Sequence, residues 1–98
     1  MIARIWRGAV RTADADEYVA YIRDTGLAHY RSTPGNLGAW ILHRSGGDTT
    51  EILTFSLWED MDAVTAFAGE DPSRAVYYPE DDRFLVERAS TVDHFEVD

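Results

Sequence analysis

The sequence predicts an α+β fold, an antiparallel sheet of four strands with helices packed on one face. Three observations carry it. Apolar alternation of period two recurs near both ends of the chain and twice in its middle. Stretches of helical spacing separate the first strand from the second and the third from the last. A Gly-Gly turn joins the two middle strands into a hairpin.

Ile2 to Val10 places Ile2, Trp6 and Val10 on one side and Ala3, Ile5 and Ala9 on the other. Both sides are largely apolar, as in a strand covered on both faces. Arg4 and Arg7 interrupt the pattern, one on each side. Asp14 and Asp16 then open a helix, where acidic groups suit the positive end of the dipole. Its body runs through Tyr18, Val19 and Ile22 toward His29 and Tyr30, and Ser32-Thr33-Pro34-Gly35 ends it.

A second strand is predicted from Leu37 to Arg44, a turn over Ser45-Gly46-Gly47-Asp48-Thr49, and a third strand from Glu51 to Glu59. Asp60 is a good N-cap for the next helix and Gly69 a good stop. Asp71-Pro72 predicts a further short helix ending at Pro79, Glu80-Asp81-Asp82 a solvated turn, and Ala89 to Val97 a last strand. Strand, helix, strand, strand, helix, short helix, strand is the ferredoxin-like split βαβ order with one insertion.

The 98 residues make a single domain, 1–98. A chain this short buries roughly 60–65% of its unfolded surface, so pairing with a second copy is an obvious source of stability. The strands point the same way. Trp6 opposes Ile5, Trp40 opposes Ile41 and Trp58 opposes Leu57, so both sheet faces carry bulky apolar groups. With few helices available, the economical cover for the second face is another copy of the same sheet, giving a homodimer with a shared α/β barrel.

Eighteen acidic residues against nine basic ones leave a net charge of −9. With no basic cluster, neither nucleic acid nor an anionic membrane is an expected partner. There is no cysteine, hence no disulfide, thiolate nucleophile or cysteine metal site. Charges interrupt Met1-Ile-Ala-Arg-Ile-Trp-Arg, so a leader or span is not expected there and the predicted location is cytoplasmic. His29, His43 and His94 stand on separate elements without metal-ligand spacing. Gly46-Gly47 lacks the Gly-Lys-Ser/Thr of a phosphate loop.

Gly35-Asn36-Leu37-Gly38-Ala39-Trp40, Leu53-Thr54-Phe55-Ser56-Leu57-Trp58-Glu59 and Ala66-Phe67-Ala68-Gly69-Glu70-Asp71-Pro72, in that order, resemble the antibiotic biosynthesis monooxygenase family. The resemblance implies a dimeric α/β barrel. It also implies an oxygenase that needs no cofactor and takes an electron-rich aromatic or quinone-like compound. Trp58 matches the tryptophan that the polyketide oxygenases use at the end of the third strand. Thr54 stands where they use asparagine, Val64 where they use tyrosine, and Tyr78 near their arginine. Where haem-degrading members use asparagine, tryptophan and histidine, this chain has Arg7, Phe67 and Tyr77.

By that resemblance the site lies between sheet and helices. Arg7, Trp58, Tyr77 and Tyr78 are its catalytic candidates, and Thr54, Phe67, Trp40 and His29 its substrate-binding ones. An arginine in an apolar cavity can hold a phenolate, an enolate or a carboxylate, and tyrosine can relay a proton. Each has a plainer role available. Trp58 suits the core, the tyrosines can pack under the loop with wet hydroxyls, and Arg7 can pair with Glu70 or Asp71. Three readings therefore stay open: an oxygenase, a binding protein that senses a small hydrophobic ligand, and an isomerase or cyclase working in the same pocket.

Overall fold

In the computed structural model, which describes all residues from Met1 to Asp98, the chain runs in this order. It comprises β1 (Ile2–Arg11), α1 (Ala15–Ile22), a π-helical turn (Arg23–Leu27), α2 (Ala28–Ser32), β2 (Asn36–Ser45) and β3 (Thr49–Trp58). There follow α3 (Met61–Ala68), α4 (Asp81–Phe84), β4 (Leu85–Arg88) and β5 (Asp93–Glu96). Every ladder is antiparallel, and the sheet order is β2-β3-β1-β4, with β5 also paired to β1. This is the ferredoxin-like order.

β1 is central. It pairs with β3 from Ile2 opposite Trp58 to Arg11 opposite Thr49. Its other edge is shared by β4, against Gly8 to Val10, and β5, against Ile2 to Ile5. The last strand expected over residues 89–97 is thus shorter, β5 alone, and β4 before it is an additional strand. Between them the backbone turns aside to the 73–75 segment: Ala75 N donates to Ser90 O at 3.0 Å and Val92 N to Ser73 O at 2.9 Å. Satisfying those backbone groups outweighs a continuous ladder.

The helix expected after Asp71-Pro72 does not form. Asp71 Oδ1 accepts from Ser73 N at 3.2 Å and from Ser73 Oγ at 2.7 Å, a local turn that competes with helix. The chain then runs irregularly to Glu80, with one bridge, Arg74 to Thr91. Glu80-Asp81-Asp82 is not a solvated turn either, since Asp81 begins α4 and is only 3% exposed.

The first helical run is longer and less regular than its spacing suggests. The π-helical turn inserts extra arc at Gly26, which keeps Tyr18 and Ile22 of α1, Leu27, and Tyr30 of α2 all buried on the sheet. α3 is capped as its sequence indicates, Asp60 Oδ1 accepting from Ala63 N at 2.9 Å. It sits close to the start of β2: a side chain at Gly35, where φ is +92°, would meet Ala63 Cβ at 2.5 Å.

Two buried clusters fill the space under the helices, one around Trp58 and Phe67, the other around Trp6 and Tyr18. The opposite sheet face has no cover in the chain. Ile5, Phe55 and Trp40 stand in one row across β1, β3 and β2, and Leu53 faces Leu42 in the next. Trp40 is 48% exposed, Leu42 50% and Phe95 53%. Both faces are apolar, as the alternation indicated. No helix is long and apolar enough to cross a membrane.

Candidate functional site

The parity of β1 decides which side chains face the helices. Ile2, Arg4, Trp6 and Val10 point that way, opposite Trp58, Ser56, Thr54 and Thr50 of β3. A small cavity of about 30 Å³ remains above them, lined by Trp6, Tyr30, Thr54, Tyr77, Tyr78 and Asp81 among others. That holds about one water. The irregular 70–80 segment supplies one wall and the α1–α2 run the other.

Hydrogen bonds organise the cavity. Tyr30 and Thr54 hydroxyls meet at 3.2 Å. Trp6 Nε1 donates to the Tyr77 hydroxyl at 3.1 Å, and that hydroxyl donates onward to Ala89 O. Asp81, on α4, accepts from Tyr18 Oη at 2.9 Å and from the Tyr78 amide at 2.6 Å, so one buried carboxylate fixes both walls. Tyr78 Oη lies 2.7 Å from His29 Nδ1. The His29 ring in turn sits over Phe67, with centroids 4.5 Å apart.

Burial chiefly pushes the Tyr78 hydroxyl up to about 12, with Tyr30, Asp81 and Tyr21 adding to it. Tyr77 is also raised, mainly by burial, against the hydrogen bond from Trp6 and the charge of Arg88. Tyr18 is raised by burial and then by Asp81. These hydroxyls are therefore donors near neutral pH. Tyr78 Oη and His29 Nδ1 share one hydrogen bond, whose direction follows the His29 tautomer.

The structure brings Thr54, Tyr77, Tyr78, His29, Phe67 and Trp58 to this side of the sheet. Thr54, Tyr77 and Tyr78 line the cavity, and His29 and Phe67 flank it. Trp58 is fully buried beside Phe67, with ring centroids 5.7 Å apart, and donates to Ser56 Oγ at 2.9 Å. It packs the floor and does not open onto the cavity.

Arg7 and Trp40 are corrections. Both fall on the open face by strand parity. Arg7 has a 55% exposed side chain, and its partner is Glu51 at 3.9 Å in place of Glu70 or Asp71. Trp40 lies against Phe55, centroids 5.9 Å apart. The largest concavity, about 570 Å³ around Arg7, Arg44 and Glu51, is a shallow groove at the hairpin end. Glu51 pairs with both of those arginines, also accepting from Arg44 at 2.7 Å.

The arginine beneath the helices is Arg4, 1% exposed. Nη1 donates to Pro72 O at 2.6 Å and to His94 Nε2 at 3.0 Å, while Nη2 reaches Arg74 O at 3.3 Å. Because a guanidinium only donates, His94 Nε2 accepts and the imidazole is neutral. Nε has no partner. Burial lowers the Arg4 pKa, and Tyr30 beside it raises it in part. Sequence reasoning passed over Arg4, Tyr30 and Asp81. Parity with Ile2, Trp6 and Val10 could have found Arg4; nothing in Glu80-Asp81-Asp82 marks its middle residue for burial. No group of three His, Asp or Glu side chains is placed to hold a metal ion.

Comparison with solved structures adds the decisive observation for the architecture. A candidate antibiotic biosynthesis monooxygenase from Nitrosomonas europaea superposes over 99% of this chain and 98% of its own, at 17% identity and a TM-score of 0.68. The fold is that of the antibiotic biosynthesis monooxygenases. A cofactor-independent oxygenase from Streptomyces nogalater shares this monooxygenase fold, covering 98% of this chain and 91% of its own at 20% identity and a TM-score of 0.63. So does a haem-degrader from Mycobacterium tuberculosis with two haems in its active site, over 99% of this chain and 95% of its own, at 19% identity and a TM-score of 0.58. No protein-family model matches the chain, and no curated protein does. The resemblance read from the sequence is thus matched at the level of the monooxygenase fold.

Proposed function

We propose that this chain is a cofactor-independent oxygenase acting on a small electron-rich aromatic or quinone-like compound in the cavity between helices and sheet. The observation that carries the reading is the Tyr78–His29 pair. A phenol that stays protonated to about pH 12 lines the cavity and is hydrogen-bonded to an imidazole at its rim. A substrate proton can pass to the Tyr78 oxygen as the Tyr78 proton passes to His29 Nδ1, leaving a substrate anion in a dry aromatic enclosure.

That anion gives one electron to dioxygen, the resulting radical and superoxide combine, and the peroxide loses water. A ring CH2 becomes a carbonyl, one oxygen atom enters the product and the other leaves as water. The role of Tyr78 and His29 is to take the proton; Trp6 and Tyr30 exclude water and stack the ring, with Phe67 packed behind Tyr30. Binding a ring needs Val76, Tyr77 and Tyr78 to move outward, since a cavity of about 30 Å³ holds no aromatic compound. The segment that carries them has no regular secondary structure from Asp71 to Glu80, so its movement breaks side-chain bonds, those of Tyr77 and Tyr78 among them, and no helix.

The haem chemistry of one fold neighbour does not fit this chain. The Tyr77 hydroxyl is committed to Trp6 and Ala89, and the Nδ1 of His29 to Tyr78. The second half of the reading is a homodimer through the open sheet face, supported by the apolar rows of Ile5, Phe55 and Trp40.

Oxygen uptake with anthrone or a dihydroxynaphthalene as trial substrate tests the enzyme reading. Uptake is expected from the wild type, with a loss of about tenfold to a hundredfold in kcat for Tyr78→Phe and His29→Ala. Conversion without oxygen would identify an isomerase or cyclase, and binding without turnover a ligand-sensing protein.

A further inference from the structure

Arg4 is a buried cation that the chain does not neutralise. None of the ion pairs in the structure involves it. Its surroundings offer two carbonyl oxygens, one imidazole lone pair, the Tyr30 hydroxyl and the face of Phe67, 5.6 Å from the guanidinium carbon, and no carboxylate. Asp71, next to Pro72, is committed to Ser73. A guanidinium keeps its charge in a protein, and an uncompensated buried charge is strongly unfavourable.

The unmet demand lies on one edge. Nη1 is fully used by its bonds at 2.6 and 3.0 Å. The Nε–Nη2 edge is not: Nε has no acceptor, and Nη2 has only the 3.3 Å bond to Arg74 O. This is the edge that a carboxylate grips with two parallel hydrogen bonds. The neighbours are aromatic, and Tyr30 stands beside the guanidinium as well as in the cavity wall.

We propose that the Nε–Nη2 edge of Arg4 is a binding site for the carboxylate of a small aromatic acid, whose ring lies among Tyr30, Phe67 and Trp6. The acid releases Nη2 from the Arg74 carbonyl and supplies the counter-charge that the fold lacks. The 72–74 segment, held to Arg4 through those carbonyls, moves with it. The inference deepens the cavity reading above and rests on it for the route in, but it requires no turnover.

Binding of salicylate and of its neutral isostere salicylamide, measured by titration calorimetry at neutral pH without oxygen, tests it. Salicylate is expected to bind at least about tenfold tighter to the wild type. In Arg4→Met that preference disappears while salicylamide binding stays. Equal affinities in the wild type overturn the proposal, as does no binding of either at millimolar concentration. Salicylate preference retained in a folded Arg4→Met overturns it too. The wild-type comparison decides even if that variant does not fold. Preferential binding with no oxygen uptake would sink the oxygenase alone, and oxygen uptake with equal affinities would sink the anion site alone.

Discussion

Nη1 of Arg4 and Nε2 of His94 face each other at 3.0 Å across the β1–β5 ladder, where the two residues are register partners. The contact needs a neutral imidazole, and protonation would press two cations together. Burial first, then Arg4, hold the His94 pKa below its ordinary 6.5, with Asp93 opposing them. A base depressed in the folded state takes its proton more readily when unfolded. Its contribution to stability is therefore complete above about pH 6.5 and is lost as the pH falls through that value toward the folded pKa. Thermal midpoints are expected to drop between about pH 7.5 and about pH 5, and less steeply in His94→Gln. Parallel profiles would show that His94 is not the group responsible.

Ser56 and Trp58 form a buried pair on β3, the indole donating to the hydroxyl at 2.9 Å. Ser56→Ala leaves that indole N–H without an acceptor and is expected to cost about 1–3 kcal/mol. Adding Trp58→Phe removes the orphan donor, so the double variant is expected to lose less than the two single losses summed. Urea midpoints of the four proteins give the comparison; simple additivity would mean the bond is not what stabilises the site.

Asp81 ties α1 to the cavity loop through Tyr18 and the Tyr78 amide. Asp81→Ala strands the Tyr18 hydroxyl and the Tyr78 amide, with an expected loss of about 2–4 kcal/mol, and Tyr18→Phe, which strands only Asp81 Oδ1 and keeps the bond to the Tyr78 amide, costs less. Amide exchange should also rise selectively over residues 76–80. Unchanged exchange there would show that the loop is held by something else.

On the open face, Leu42 and Trp40 are half exposed in one chain. If a second copy covers them, Leu42→Glu places a charge in an apolar contact and sedimentation is expected to shift from dimer to monomer with unchanged helix content. A wild type that sediments as a monomer removes the homodimer from the account.

Much of this was legible from the chain itself. Alternation located β1, β2 and β3, and Asp60 with Gly69 bounded α3, because those signals are local: a strand's period and a helix's cap depend only on nearby residues. The likeness in fold to the monooxygenases was also visible in three short stretches. The Asp71-Pro72 signal failed for a local reason as well, since the same aspartate that can cap a helix caps the Ser73 turn instead.

The sequence by itself determined the α+β order, the two apolar sheet faces and the aromatic character of the site. Only the tertiary structure decided that Arg4, and not Arg7, is the buried cation, that Asp81 is the anchor of the cavity wall, and that β4 and β5 share one edge of β1 with a break between them. Those outcomes depend on which groups distant in the chain satisfy one another's hydrogen bonds. Pro72 and His94 meet Arg4, Tyr18 meets Asp81, and Ser73 meets Val92. No local pattern encodes such meetings, because the cost of an unmet buried polar group is settled only when the whole chain has closed around it.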